Sequence, residues 1–337
     1  MAVHAHQVRH REQAFEPDLA VVDAHHHLWD DLTNQLAVPY ALPDLLADMD
    51  GGHHVVATVY AECTSHWRDD GDPALRPVGE TQWIAGQVLP RGVMDAIIGY
   101  ADLRSGAATR PILEAHREAG RGRFAGVRHS TAWDPHPDVP NTAREVPPRT
   151  LVSADFVEGV RLLGELGMTF DAWIFFHQIP ELAQLAAAAP DTRIVLDHLG
   201  GPLCIGPYAA DRPAMLATWR EHLAAAAARE NIVLKIGGLG FPWFVPDEVC
   251  AQLTDSDAIA DYWRREVEYA IEVFGPRRCM FESNFPVDSR VADYVTYWNA
   301  MKKLTVGHSP SERAEMYVGT AMRTYGIPRD DTNRTPP

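Results

Sequence analysis

Eight apolar runs of strand length recur along this chain, and nearly all of them end on a polar or ionisable residue. They span residues 21–27, 54–62, 96–102, 124–129, 169–177, 193–198, 232–236 and 279–284. Several are almost continuous in Val, Ile and Phe, as parallel strands covered on both faces must be. Helical spacing fills several of the gaps. Residues 155–166 (DFVEGVRLLGEL) place apolar side chains at helical intervals, and Gly167 stands where such a helix would stop. Residues 180–189, 213–229 and 259–274 read the same way, the last ending at Gly275-Pro276. Strands alternating with helices form right-handed βαβ units. Eight of them predict closure into a (β/α)8 TIM barrel. An open doubly wound sheet is the alternative, but no Gly-rich dinucleotide fingerprint follows the first run.

Length agrees with one enlarged barrel: 337 residues against about 250 for a plain one. The expected division is an N-terminal arm over 1–17, a barrel over 18–326 and a polar, disordered tail over 327–337. Helices near 294–304 and 311–325 would complete the outer layer. Four connections after strands look long: 63–92, 130–154, 199–212 and 237–256. They belong on the C-terminal face, where barrel enzymes build their sites. They carry Trp67, Trp83, Trp133, Tyr208, Phe241, Trp243 and Phe244, either a lid over an organic substrate or rings that pack the loops down.

A net charge of −16 argues against nucleic acid or an anionic membrane as partner. Neither a signal peptide nor a membrane-length apolar run is evident. Cys63, Cys204, Cys250 and Cys279 are scattered without a C-x-x-C pair, so a cytoplasmic protein without disulfides is expected. A small-molecule substrate is the expected partner, and a homodimer the default assembly.

The polar strand ends carry the chemistry, since a polar group in a buried strand is costly unless paired or used. The first run ends in His25-His26-His27. Alternation puts His25 and His27 on one face and His26 on the other, and two imidazoles on one face can chelate a transition metal. The fifth run ends at His177 and the sixth at His198. Any one of these could be a structural histidine, but a closed barrel would converge them on one pocket. Arg128, at the end of the fourth run, could grip a substrate carboxylate. Lys235 could do so as a point charge. Glu62 and Asp102 could neutralise these cations instead.

These motifs resemble the amidohydrolase-related group of the amidohydrolase superfamily, and within it the lactonase-like branch. The likeness rests on Asp23-x-His25-x-His27, on Asp197-His198-x-Gly200, on the stretch 231–238 (NIVLKIGG) and on Glu282-Ser283-Asn284-Phe285-Pro286. It implies hydrolysis of a lactone, ester or amide in a small cyclic or aromatic, anionic molecule. It also implies a divalent metal, zinc by preference, on His25, His27 and His177, with His198 handling protons. Some lactonase-like members work without metal, so a metal-free mechanism stays open. Nonoxidative decarboxylases of aromatic acids share the group, and a catalytically degraded barrel is a third reading.

One departure stands out. The group's eighth-strand aspartate is Asn284 here, and a neutral amide cannot take a proton from water. Glu282, two residues earlier, is the expected substitute, either as base or as partner of a buried cation or histidine. Trp133 and Trp243 complete the expected substrate contacts.

Overall fold

The computed structural model describes residues 12–29, 39–141 and 146–328. Eight parallel strands lie side by side in chain order. They are β1 (Val21–His26), β2 (Val55–Ala61), β3 (Ala96–Gly99), β4 (Phe124–Arg128), β5 (Thr169–Ala172), β6 (Ile194–Leu196), β7 (Ile232–Ile236) and β8 (Cys279–Phe281). The two edges meet just past β8. Asn284 N donates to His25 O and His27 N to Phe285 O, both at 2.8 Å. The result is the expected (β/α)8 barrel.

The helices are α1 (Leu42–Met49), α2 (Val78–Gly86), α3 (Arg110–Ala119), α4 (Ala154–Glu165), α5 (Ile179–Ala188), α6 (Arg212–Ala227), α7 (Asp247–Cys250), α8 (Ser256–Phe274), α9 (Tyr294–Leu304), α10 (Pro310–Ala314) and α11 (Thr320–Tyr325). Their apolar faces cover the outside of the sheet. None of the described helices is long and apolar enough to cross a membrane. Inside the barrel, Val195, Val233 and Met280 pack with Val22, Ala57 and Ile98. Ala321, Tyr325 and Ile327 join this cluster from the C-terminal segment. Of the tail expected over 327–337, Ile327 thus packs into the barrel, and the residues beyond 328 lie outside the described residues.

The inward stagger explains the placement of the chemistry. Asp197, Lys235 and Glu282 each follow an inward apolar residue by two positions, so they point to the same axis. The strand ends therefore deliver charge above an apolar floor.

Two expectations change. The fifth strand stops at Ala172, level with Leu196 of the three-residue β6. Beyond it the chain turns: Gln178 Oε1 accepts from Phe175 N at 3.1 Å, and Pro180 stands in the first turn of α5. Connection 63–92 is also less open than expected, because it contains α2. Glu80 hides that helix's periodicity. It is buried on the inner side, accepting from Tyr60 OH at 2.8 Å, Cys63 N at 2.7 Å and Trp67 Nε1 at 3.1 Å.

Candidate active site

His198 and Glu282 form the tightest pair at the barrel mouth. Glu282 Oε1 lies 2.6 Å from His198 Nδ1 and 3.2 Å from the His198 backbone N. Both side chains are essentially shielded from solvent. Burial alone would lower the His198 pKa, but the adjoining Glu282 carboxylate outweighs it and raises the value above the usual imidazole range. His198 and Asn284 both hold left-handed backbone, φ +52° and +53°. Such angles are uncommon outside glycine and cluster at functional sites.

Glycines at the end of β7 make room for this pair. A Cβ on Gly237 would sit 2.1 Å from Glu282 Cγ, and one on Gly238 2.7 Å from His198 Cβ. Gly237→Ala should therefore push the carboxylate off His198 and lower kcat roughly 10- to 100-fold, the scale of a small misplacement. Steady-state assay beside circular dichroism checks this; unchanged kcat in a folded variant would contradict it.

His25 and His27 do face inward together, with their Nε2 atoms 3.2 Å apart. His27 Nδ1 contacts Ala61 O at 2.8 Å, so that nitrogen carries the proton and Nε2 keeps a lone pair. Burial, then the nearby Lys235 ammonium, holds His25 well below the usual imidazole range. Burial, then Arg128, does the same for His27. His26 turns the other way, to Thr58 Oγ1 at 3.0 Å.

The two expected substrate-gripping cations are engaged with carboxylates. Arg128 Nε donates to Glu62 Oε1 at 3.0 Å, its Nη2 to Glu62 O, and its Nη1 lies 3.1 Å from His25 Nε2. Lys235 is wholly buried below the histidines. Its Nζ is 2.8 Å from Asp171 Oδ2, 3.1 Å from His25 Nδ1 and 3.2 Å from Asp197 Oδ1. Burial opposes its charge, yet Asp171 and Asp197 hold it protonated.

His177 does not join the other histidines. It sits on the turn Phe176–Gln178, with Nε2 3.0 Å from Trp133 O and its ring stacked on Tyr208. It thereby ties the Trp133 loop down. Trp243 lies farther in, stacked on Trp173 at 6.4 Å. Trp173 in turn stands edge-on to His198 at 5.2 Å, and Phe241 stacks on the same imidazole at 6.5 Å. Trp29 covers His27 at 5.2 Å. Trp173 and Trp29 were hidden in the sequence. The first looked like strand interior, and nothing marked the second beyond its place after the histidines.

Asn284 Nδ2 donates to Asp288 Oδ1 at 3.0 Å, and Tyr297 OH donates to Asp288 Oδ2 at 2.8 Å. Burial raises the Asp288 pKa to about 7 despite these bonds. An acid whose folded pKa is raised gives stability that is complete below its unfolded value and lost as pH rises through about 7. Asp288→Asn should therefore gain on wild type by about 2 kcal/mol between about pH 5.5 and pH 8.5. Urea unfolding at both pH values checks this, and a pH-independent difference would refute it.

The amidohydrolase family profile matches residues 22–327. The chain belongs to the amidohydrolase family. An uncharacterized protein of Sinorhizobium fredii is 30% identical to it over 92% of this chain and 99% of its own length. An L-fucono-1,5-lactonase of Burkholderia multivorans is 28% identical, over 74% and 77% of the two chains. The crystal structure of an amidohydrolase from Burkholderia multivorans with bound zinc superposes with a TM-score of 0.71 at 23% identity, covering 92% of this chain and all (100%) of that one. As an amidohydrolase the protein is a hydrolase; an L-rhamnono-gamma-lactonase of Scheffersomyces stipitis is 24% identical to it, over 55% of this chain and 57% of its own length.

The donor set fits a divalent metal of the kind that members of this family bind. His25, His198 and Glu282 each offer one ligand atom within 4.8 Å of the others, all buried. Two imidazole nitrogens on one tetrahedral ion would be about 3.3 Å apart, close to the His25–His27 spacing. Glu282 Oε2 is buried without a hydrogen-bond partner, as an atom reserved for a cation would be.

Proposed function

We propose that this amidohydrolase opens the ring of a small, uncharged lactone, with the His198–Glu282 pair as its proton-transfer unit. The observation that carries this is the 2.6 Å contact between Glu282 Oε1 and His198 Nδ1. A carboxylate on Nδ1 fixes the imidazole so that Nε2 is free to act as base, and it stabilises the imidazolium that follows. His198 takes a proton from water as the water oxygen bonds to the lactone carbonyl. The tetrahedral oxyanion collapses, the ring C–O bond breaks, and His198 returns the proton to the departing alkoxide. The product is a hydroxy acid, and one water is consumed.

Arg128, whose Nη1 lies 3.1 Å from His25 Nε2, would stabilise the oxyanion. Its pairing with Glu62, and that of Lys235 with Asp171 and Asp197, favours an uncharged substrate over an anionic one. Trp173, Phe241 and Trp243 would hold the ring and exclude water. When bound on His25 and His27, a divalent ion would polarise the carbonyl. We take it to be zinc, which suits imidazole donors and is bound in the solved Burkholderia multivorans relative. Aldonolactones are the first substrates to try, as the names of two relatives indicate.

The test is a panel of γ- and δ-aldonolactones, amides and hydroxybenzoates, followed by acid release and by carbon dioxide release. Acid release from lactones is expected. Carbon dioxide from hydroxybenzoates with no lactone opened would overturn the proposal in favour of decarboxylation.

A further inference from the structure

A buried hydroxyl normally has a partner, because leaving one unpaired is costly. Ser130 departs from that rule. It is 6% exposed, and among the described residues no group bonds its Oγ. Its place beside the His198–Glu282 pair gives that atom a use.

Ser130 lies two residues past the end of β4, yet the pairing with the chain beyond β5 continues. Arg128 pairs with Asp171, and Thr131 N donates to Trp173 O at 3.1 Å. In a parallel ladder such a bond comes from the residue that follows the paired one. The same holds where Leu196 pairs with Ala172 and Asp197 N donates to Ala172 O at 3.2 Å. Ser130 is therefore the neighbour of Trp173. Pleating puts Ser130 on the face of Arg128, two residues earlier, as it puts Trp173 on the face of Asp171. That face is the barrel axis. Arg128 Nη1 is 3.1 Å from His25 Nε2, Asp171 Oδ2 is 2.8 Å from Lys235 Nζ, and the Trp173 ring stands 5.2 Å from that of His198. Ser130 thus belongs to the wall of the site, one layer above Arg128 and beside the indole that flanks the base.

Thr131 supplies a contrast. Its Oγ1 is also buried without a partner among the described residues. Alternation, however, sends its side chain to the helix side, and its carbonyl accepts from Gln178 Nε2 at 2.8 Å. Of two adjacent unpaired hydroxyls, one faces the axis and the other faces away.

We infer that Ser130 is a specificity-determining residue whose hydroxyl bonds a hydroxyl on the substrate ring. A serine hydroxyl both donates and accepts, as a ring hydroxyl does, whereas the indoles of Trp173 and Trp243 offer no acceptor. A ring that brings a hydroxyl to this point pairs an atom otherwise buried alone. A ring that brings only hydrogen leaves it unpaired, and a site built in this way rejects the analogue lacking the group. This role takes the cyclic substrate from the lactone reading, but not the identity of the base.

The experiment compares wild type, Ser130→Ala and Thr131→Val. Calorimetry measures binding of 2-piperidone and of three hydroxylated versions of the same six-membered ring, the 1,5-aldonolactams of gluco, galacto and manno configuration, so that no turnover is needed. Ser130→Ala is expected to lose about tenfold in affinity for the tightest aldonolactam and nothing for 2-piperidone, and Thr131→Val should match wild type on both. Ser130→Ala should also melt no lower than wild type, since it removes an unpaired buried hydroxyl. Undiminished aldonolactam binding by Ser130→Ala, an equal loss on both rings, a comparable aldonolactam loss in Thr131→Val, a lower melting temperature of Ser130→Ala, or no aldonolactam bound by wild type would overturn the inference. If aldonolactams bind with this dependence on Ser130 but no lactone is opened, Ser130 keeps its role and the ring-opening reading falls. Lactones opened by wild type, with an unchanged preference for hydroxylated rings in Ser130→Ala, would do the reverse.

Discussion

Glu282→Gln is expected to lower kcat for lactone opening about a thousandfold without unfolding the protein. Glutamine has the shape of glutamate, so the contact with His198 Nδ1 can survive through its carbonyl oxygen. What it lacks is charge. The imidazolium formed when His198 takes a proton would have no carboxylate 2.6 Å away. The sign of the pH effect follows. Glu282 raises the His198 pKa, and the base must be deprotonated to work. The ascending limb of kcat/KM should lie above the ordinary imidazole value in wild type and move to lower pH in the variant, where the remaining activity is small. The comparison needs kcat, a pH profile and a thermal melt on the same preparation. Full turnover by Glu282→Gln would exclude the role, and a drop in melting temperature with kcat intact would make Glu282 a packing residue only.

Most of the architecture could be read from the amino acids because barrel strands are buried on both faces. Continuous apolar runs ending in polar residues betray both the strand and its C-terminal end, which is how His25, His27, His198 and Glu282 came into view together. Asn284 was legible for the same reason, since it occupies a strand end where an anion was expected. His177 was misplaced because an apolar run can continue past the last ladder bond. Trp173 to Phe176 look like strand, yet β6 offers no partner beyond Leu196. The helix α2 escaped notice because its buried face carries Glu80. Partner choice was the least legible feature. Lys235 and Arg128 are each plausible as substrate-gripping cations in one dimension. Only the fold brings Asp171 and Asp197 to the one and Glu62 to the other, 64, 38 and 66 residues away. Asp288 shows the same limit, because its link to Tyr297 depends on how α9 docks.

Arg128→Met should destabilise the protein by about 3–5 kcal/mol, the cost of leaving a buried partner charged and alone. Glu62 is 2% exposed and Arg128 8%, so solvent would do little to screen the orphaned carboxylate. Glu80 makes matters worse: the Glu62 charge already raises its pKa, after burial, and removing the guanidinium leaves the two carboxylates facing each other. If the pair is chiefly structural, Arg128→Met/Glu62→Leu should recover most of the loss, since a buried ion pair can be replaced by apolar residues at little cost. Urea unfolding of the two single variants and the double closes the cycle. Kinetics on the double variant then separate stability from chemistry. An Arg128 that only holds Glu62 would leave kcat near wild type once stability returns. An Arg128 that also stabilises the oxyanion would leave kcat about 100-fold low in a stable protein. A destabilisation below about 1 kcal/mol in the single variant would place the pair with ordinary surface ion pairs and remove the argument that its commitment to Glu62 keeps anionic substrates out.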